Sequence, residues 1–368
     1  MALSPLNQRR WKNFKANKRG YYSLWIFGVL FIASLFAEFI AYDKPILIRY
    51  QNAFYTPIWN FYPETAFGGD FQTEAIYRDP EVQCLIATGG LDLCFDDPEG
   101  YIEDAEDGVI EGAEITRGWA IWPLIPYSYD TAVDRPGAAP LPPGDGNILG
   151  TDGTKRDVMA RVVHAFRLSV LFTFIVTGAS AIIGIIAGAV QGYFGGRTDL
   201  LFQRFIEIWT ATPFLYVVII LFAILGRGFW LLVGLMVLFG WTGLVAVVRA
   251  EFLRARNLEY VRAARALGVG NMTIMFRHML PNAMVATLTF LPFIITGTIA
   301  SLASLDYLGF GLPSSAPSLG ELTRQATQNL QAPWLAFTAF GVFAVMLSLL
   351  IFIFEGIRDA FDPRKTFT

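Results

Sequence analysis

Six uninterrupted apolar runs set the limits on this chain: 21–42, 164–190, 204–226, 229–248, 283–304 and 335–354. Each is close to the ~20 helical residues that cross a hydrocarbon core about 30 Å thick. A backbone amide in lipid has no water to bond, so only helices or closed barrels can cross, and these runs lack the two-residue alternation of a barrel strand. The expected fold class is an all-α membrane protein with six transmembrane helices. With 54% hydrophobic and only 16% charged residues, the composition excludes an ordinary soluble domain, in which charge runs near ~25%.

Charge orients the spans. The basic N-terminal segment 1–20 carries Arg9, Arg10, Lys12, Lys15, Lys18 and Arg19, and the run behind it is too long for a signal-peptide core and lacks a prompt cleavage site. It reads as a retained first helix at 21–42 with a cytoplasmic amino terminus. Six spans then place the carboxyl terminus and the loops 191–203 and 249–282 inside as well. Those segments hold Arg197, Arg249, Arg254, Arg256, Arg262, Arg265, Arg277, Arg358, Arg364 and Lys365, against Arg227 and Arg324 in the short outer loops.

The large hydrophilic region 43–155 faces outward in this topology. It has 20 Asp or Glu against 6 Lys or Arg, a net charge of −14 in a chain whose total is −3. Low hydrophobicity suits disorder over Asp96–Glu114; the sharper reading is an electrostatic lure for cationic substrates or a basic binding protein. Both cysteines, Cys84 and Cys94, lie in this region, where an oxidising compartment favours a disulfide between them. Two cysteines with no nearby histidine fall short of a metal site, and His164 and His278 each stand alone.

The stripe Val158, Val162, Val163 and Phe166, punctuated by Arg161 and Arg167, suits either an amphipathic helix at the membrane surface or a plain extension of the second span. Gly184, Gly188 and Gly192 put a small face on that span, where close helix packing is expected. Pro213 and Pro292 interrupt the third and fifth spans and either kink them or line a cavity. Glu207 and Asp306 are the ionisable residues nearest those spans. Gly309, Gly311, Pro313 and Gly320 form the following outer loop, a candidate gate. Tryptophans 119, 122, 209, 230, 241 and 334 fall near predicted interfaces, where headgroup-level anchoring accounts for them.

The loop between spans four and five carries the most specific pattern. Glu259–Tyr–Val–Arg262–Ala263–Ala264–Arg265–Ala–Leu267–Gly268 reads as a short helix with a small-residue face, ended where Gly268 and Gly270 can cap it; Phe276–Arg277–His278–Met279–Leu280–Pro281 follows. Through Ala263, Ala264, Gly268, Leu280 and Pro281 the loop resembles the EAA loop of permeases in ATP-binding-cassette importers. Arg262 stands where that pattern has Glu, and His278 where it has Ile. The form resembles the oligopeptide/dipeptide, binding-protein-dependent branch. So do Leu149–Gly150–Thr151–Asp152, Gly192–Tyr193–Phe194–Gly195–Gly196, Ala332–Pro333–Trp334–Leu335 and Arg358–Asp359–Ala360–Phe361–Asp362–Pro363–Arg364, and Phe202–Trp209 and Ser304–Pro313 are similar to the Yej-type permeases of peptide and microcin C importers. The acidic stretch 64–130 has no counterpart in the resemblance.

The resemblance implies a type I ABC importer permease fold, with a permease core over 156–364 and an acidic extracytoplasmic insertion. It implies coupling to ATP hydrolysis through Glu259, Arg262, Ala263, Ala264, Gly268, Leu280 and Pro281, and a translocation path bordered by Glu207, Pro213, Pro292, Asp306, Gly309 and Gly311. The implied partners are a second permease, two ATPase subunits or one fused ATPase, and a periplasmic peptide-binding protein, with no nucleic acid. ATP and Mg belong to the partners, and no cofactor is expected on this chain: no phosphate loop of the G-x-x-x-x-G-K-[ST] type occurs, since Gly153–Thr154–Lys155 lacks the preceding glycine. The rivals are an ABC permease for another solute and a secondary transporter or channel, which would need ion sites deep in the spans. An intramembrane enzyme would need a catalytic pair or zinc motif there, and none is written.

Overall fold

The computed structural model describes residues 5–107 and 116–361; Arg364, Lys365 and the acidic stretch 108–115 lie outside the described residues. In chain order, α1 is Pro5–Ala16, α2 Lys18–Leu35 and α3 Ala37–Ile40, followed by strands β1 (Leu47–Tyr50) and β2 (Ala53–Tyr55). Next come α4 (Pro80–Thr88), α5 (Pro98–Asp107) and β3 (Trp119–Ile121). The long helices follow: α6 (Val158–Phe194), α7 (Gly196–Ala211), α8 (Phe214–Leu225), α9 (Phe229–Gly240) and α10 (Thr242–Ala255). The chain then forms α11 (Glu259–Ala266), α12 (Asn271–Thr273), a π-helical turn (Ile274–Met279), α13 (Leu280–Tyr307), α14 (Leu319–Gln328) and α15 (Pro333–Phe361).

Among the described residues four helical stretches are long and apolar enough to cross a membrane: Val158–Phe194, Phe229–Ala255, Asn271–Tyr307 and Pro333–Phe361. A fifth is formed if α7 and α8, bent by 67° at their junction, are taken as one span. This is a multi-pass membrane protein. The first apolar run forms α2 and α3, and α2 spends its first turn on Lys18 and Arg19, so its apolar stretch is shorter than the others. The single helix expected over 204–226 is broken. Thr212, ahead of a proline, is extended at φ −72 and ψ 121, as the steric demand of the ring requires, and Pro213 starts α8 with no amide to leave unpaired. Pro292, by contrast, sits inside an unbroken α13. The stripe at 158–166 is the beginning of α6, the plain extension.

The chain divides into two compact units. The larger lies within Met1–Ile32, Ala165–Gln328 and Ala336–Thr368. One of its cores joins Phe27, Phe166, Val170, Ile299 and Met346; another joins Phe172, Val218, Leu232, Met236 and Leu302. Gly184, Gly188 and Gly192 pack directly on α10. A Cβ on Gly188 would lie 2.8 Å from the Val245 carbonyl oxygen and 2.9 Å from the Val248 Cβ, and one on Gly192 would lie 2.6 Å from the Arg249 oxygen and from the Phe252 Cβ. Backbone meets backbone along this seam, which only a small-residue face permits.

The smaller unit, Ala33–His164 with Asn329–Leu335, contains α5 within the stretch Asp96–Glu114 whose composition suits disorder. A three-stranded antiparallel sheet runs β2-β1-β3. Gln51 and Asn52, both at positive φ, make the two-residue turn of the β1–β2 hairpin. Ile48 and Tyr50 face a buried cluster with Phe67, Tyr77, Val82 and Ile86. Helix α4 is punctuated at both ends: Asp79 accepts from the Glu81 amide, Pro80 opens the first turn, and Gly89 at φ 87 closes the last. Cys84 and Cys94 are joined as a disulfide with Cα atoms 5.6 Å apart. Closing so short a loop stabilises by about 2–3 kcal/mol in the chain-entropy model. Cys94→Ser is therefore expected to expose residues 80–95 to early proteolysis, with α2 and α6–α15 unaffected in a time-resolved digest.

Ahead of α6 the same unit holds a buried polar junction. Asp152, fully buried, pairs with Arg156 at 2.9 Å and with Arg161 at 3.5 Å, and receives the amides of Thr154 and Arg156. Burial alone would raise its carboxyl; Arg161 and Arg156, with those amides, hold it below the usual carboxylate range. Asn147 donates to Asp157 at 2.8 Å, Trp334 donates to the Thr151 carbonyl at 3.2 Å, and His164 meets the Ala41 carbonyl at 2.9 Å.

Candidate functional site

Helix α11 has only eight residues, too short to persist on its own propensity; its ends and its seat hold it. Gly268 adopts φ +75 just past the last turn. Its amide donates to Arg265 O at 3.0 Å and the Val269 amide donates to Ala264 O at 3.1 Å, the paired bonds that satisfy the carbonyls of a glycine-capped helix. A Cβ at Gly268 would meet no atom within 4 Å, so a side chain there is opposed by backbone strain alone. Within α11 only Val261 is buried; it joins Phe252, Ile274, Met275 and Met279 beneath the helix.

Polar contacts lock the surrounding loop. Tyr193 at the end of α6 donates to Asn271 Oδ1 at 2.7 Å, and the Arg265 guanidinium lies 4.8 Å from the Tyr193 ring centre. Asn282 donates to the Tyr260 hydroxyl at 3.3 Å. Arg249 donates to both carboxylate oxygens of Asp199 through Nε and Nη2, with Nη2 2.7 Å from Oδ2. The π-helical turn Ile274–Met279 ends just before Pro281; the wider turn accommodates a ring that would clash with a carbonyl four residues back in an α-helix. Leu258, Tyr260, Arg262, Ala263, Arg265 and Leu267 remain exposed, Leu267 at 83%. The outcome is a rigid, half-apolar, half-basic surface on a buried seat.

A family model described as the inner membrane component of binding-protein-dependent transport systems matches residues 180–367, which contain all of this loop. The chain belongs to that family. A second model, the N-terminal transmembrane domain of oligopeptide transport permease C, matches residues 4–57. The chain is 52% identical to the peptidoglycan transport system permease protein YejE of Agrobacterium fabrum, over 99% of this chain and 95% of that one. It is 49% identical to the inner membrane ABC transporter permease protein YejE of Escherichia coli, over 99% and 98%. The oligopeptide transport system permease protein OppC of Lactococcus lactis is 33% identical over 60% of this chain and 76% of its own.

In this binding-protein-dependent permease the sequence-predicted loop residues fall together: Glu259, Arg262, Ala263 and Ala264 on α11, Gly268 at its cap, and Leu280 and Pro281 opening α13, with Leu280 packed against the cluster under α11. The residues expected along a translocation path do not form one cluster. Glu207 pairs with Arg204 at 2.6 Å on an exposed face of α7. Asp306 is buried, its oxygens taken by the Leu312 amide at 2.8 Å and the Ser318 hydroxyl, and Ser318 in turn caps α14 through the Gly320 and Glu321 amides. Gly309 turns the chain at φ +76, and Gly311 approaches so closely that a Cβ would overlap the Asp306 carboxylate. Asp306 thus organises the α13–α14 hairpin. Sequence reasoning missed Asn271 and Asn282, and the contact that Tyr193 makes, because these partners are brought together only when the helices meet. Tyr193→Phe is expected to cost about 1 kcal/mol and to loosen the α11 seat, read as faster amide exchange over 259–270 with unchanged exchange in α9.

Proposed function

We propose that this chain is one transmembrane permease subunit of an ATP-driven importer that takes peptides or peptide-like compounds, including cell-wall peptide fragments, into the cytoplasm. The observation that carries the reading is the capped α11 on its buried seat, in a chain half identical along its length to named transport permeases. The six-span reading takes α2, α6, the bent pair α7–α8, α9–α10, α12–α13 and α15 as the spans, with both termini and α11 in the cytoplasm and the acidic region outside. A second permease completes the channel, and an extracytoplasmic binding protein delivers cargo to the acidic face. ATP binds and is hydrolysed on partner subunits, which press on α11; α10 and α13, joined to it through the Val261 cluster, carry the displacement into the spans.

The test is peptide uptake by the reconstituted assembly. Uptake should require ATP, and Gly268→Val should lower it at least tenfold while the assembly still forms, because a β-branched residue at φ +75 strains the cap by about 1–2 kcal/mol or more. Undiminished uptake in that variant removes the coupling assignment. Uptake driven by an ion gradient without ATP favours a secondary transporter.

A further inference from the structure

The amino-terminal helix builds a groove that no step of transport uses. Asn17 caps α2 by accepting from the Gly20 amide at 3.1 Å and donates to Asp359 at 3.4 Å. Gly20 meets Gly356 of α15 so closely that a Cβ on it would lie 3.1 Å from the Gly356 Cα. With α2 and α15 in backbone contact, α1 closes over their ends and leaves a groove of about 350 Å³, walled by Trp11, Phe14, Leu24, Ile357 and Phe361. Arg10 stands on its rim, its guanidinium 4.3 Å from the Phe361 ring centre. Around it α1 and the first turn of α2 present Arg9, Lys12, Lys15, Lys18 and Arg19, and residues 1–20 contain no Asp or Glu.

The level of this groove in the bilayer is marked by rings. Trp11, Tyr21, Tyr22 and Trp25 form a connected aromatic set on α1 and α2, the residue types that settle at headgroup depth. An apolar slot at that depth accepts an acyl chain, and the six cations of residues 1–20, which outnumber the α15 carboxylates Glu355 and Asp359, favour a negative headgroup. We propose that the groove between α1, α2 and α15 binds one anionic phospholipid, with its phosphate at Arg10 and an acyl chain along Trp11, Phe14 and Ile357. The lipid then fastens α1 against the end of α15.

Native mass spectrometry of the full chain in mixed micelles with equal phosphatidylglycerol and phosphatidylcholine tests this. The native chain should retain phosphatidylglycerol in preference, and Arg10→Ala should lower the preference about fivefold, the effect of one cation at an anionic surface. Ala360→Leu, which fills the groove without changing charge, should lower total lipid retention, while Arg254→Ala, an exposed cation on α10, should change neither. Equal retention of the two lipids by the native chain, or an unchanged preference in Arg10→Ala, overturns the proposal. So does increased lipid retention on deleting residues 362–368, which would make the chain's own carboxyl terminus the occupant.

Discussion

Gly188→Leu is expected to abolish accumulation of folded chain in the membrane, whereas Gly178→Leu on the same helix is expected to leave it near the native level. The two glycines differ only in what faces them. A Cβ on Gly178 meets nothing within 4 Å, but one on Gly188 would sit 2.8 Å from the Val245 carbonyl, and both neighbouring contacts of the seam, at Gly184 and Gly192, are as tight. Leucine therefore cannot be accommodated by a rotamer change; α6 and α10 must separate along three turns. Overpacking a well-packed core costs about 1–3 kcal/mol even where side chains can yield, and here the obstacle is backbone. The seam also anchors the α11 seat, since Phe252 and Val248 belong to both, so Gly188→Ala should already lower transport before it lowers abundance. Fluorescence-detected size-exclusion of the three variants, alongside uptake, separates these effects.

Asp152→Ala should be comparably damaging in the smaller unit. Arg161 is 1% exposed and Asp152 fully buried, so removing the carboxylate takes an ion-pair partner from a buried guanidinium, at about 3–5 kcal/mol. Asp152→Asn should recover part of this, because it keeps acceptors for the Thr154 and Arg156 amides. The sign with pH follows from the depressed carboxyl. Its folded value lies below its unfolded one, so its contribution is complete above the unfolded value near ~4 and is lost as pH falls towards the folded one. Thermal unfolding of the native chain should thus show an acid-sensitive component below about pH 4 that Asp152→Ala no longer shows.

Much of this was legible beforehand because lipid leaves few choices. Runs of apolar residues at spanning length fix helices, and the small face at Gly184, Gly188 and Gly192 found its partner as its spacing required. The α11 cap was readable from Gly268. What could not be read were the events that depend on non-local contact. Pro213 and Pro292 look alike in sequence, yet one breaks its span and the other does not. The partners of Asp306, the Leu312 amide and the Ser318 hydroxyl, could not be foreseen because they lie across a loop from it. Low hydrophobicity over Asp96–Glu114 suggested disorder, but residues Pro98–Asp107 of it form α5, and a sheet of three short strands, a disulfide and a few aromatic contacts around Phe67 supply enough order for a small unit. The Asp152 junction escaped notice because charges near a span read as solvated until Arg161 is seen buried.

The central claim is that α11 is where a nucleotide-hydrolysing partner grips this permease. With the native cysteines tied to each other, a single cysteine at Ala263, exposed on α11, can be crosslinked by a short bifunctional reagent in the assembled importer, with one at Ala300, exposed within the apolar span α13, as control. The expected result is a product between position 263 and an ATPase subunit whose yield changes when ATP is bound, and none from position 300. A position-263 cysteine that joins no ATPase subunit, or that reacts only with an impermeant reagent added to the outer face of intact cells, would contradict it.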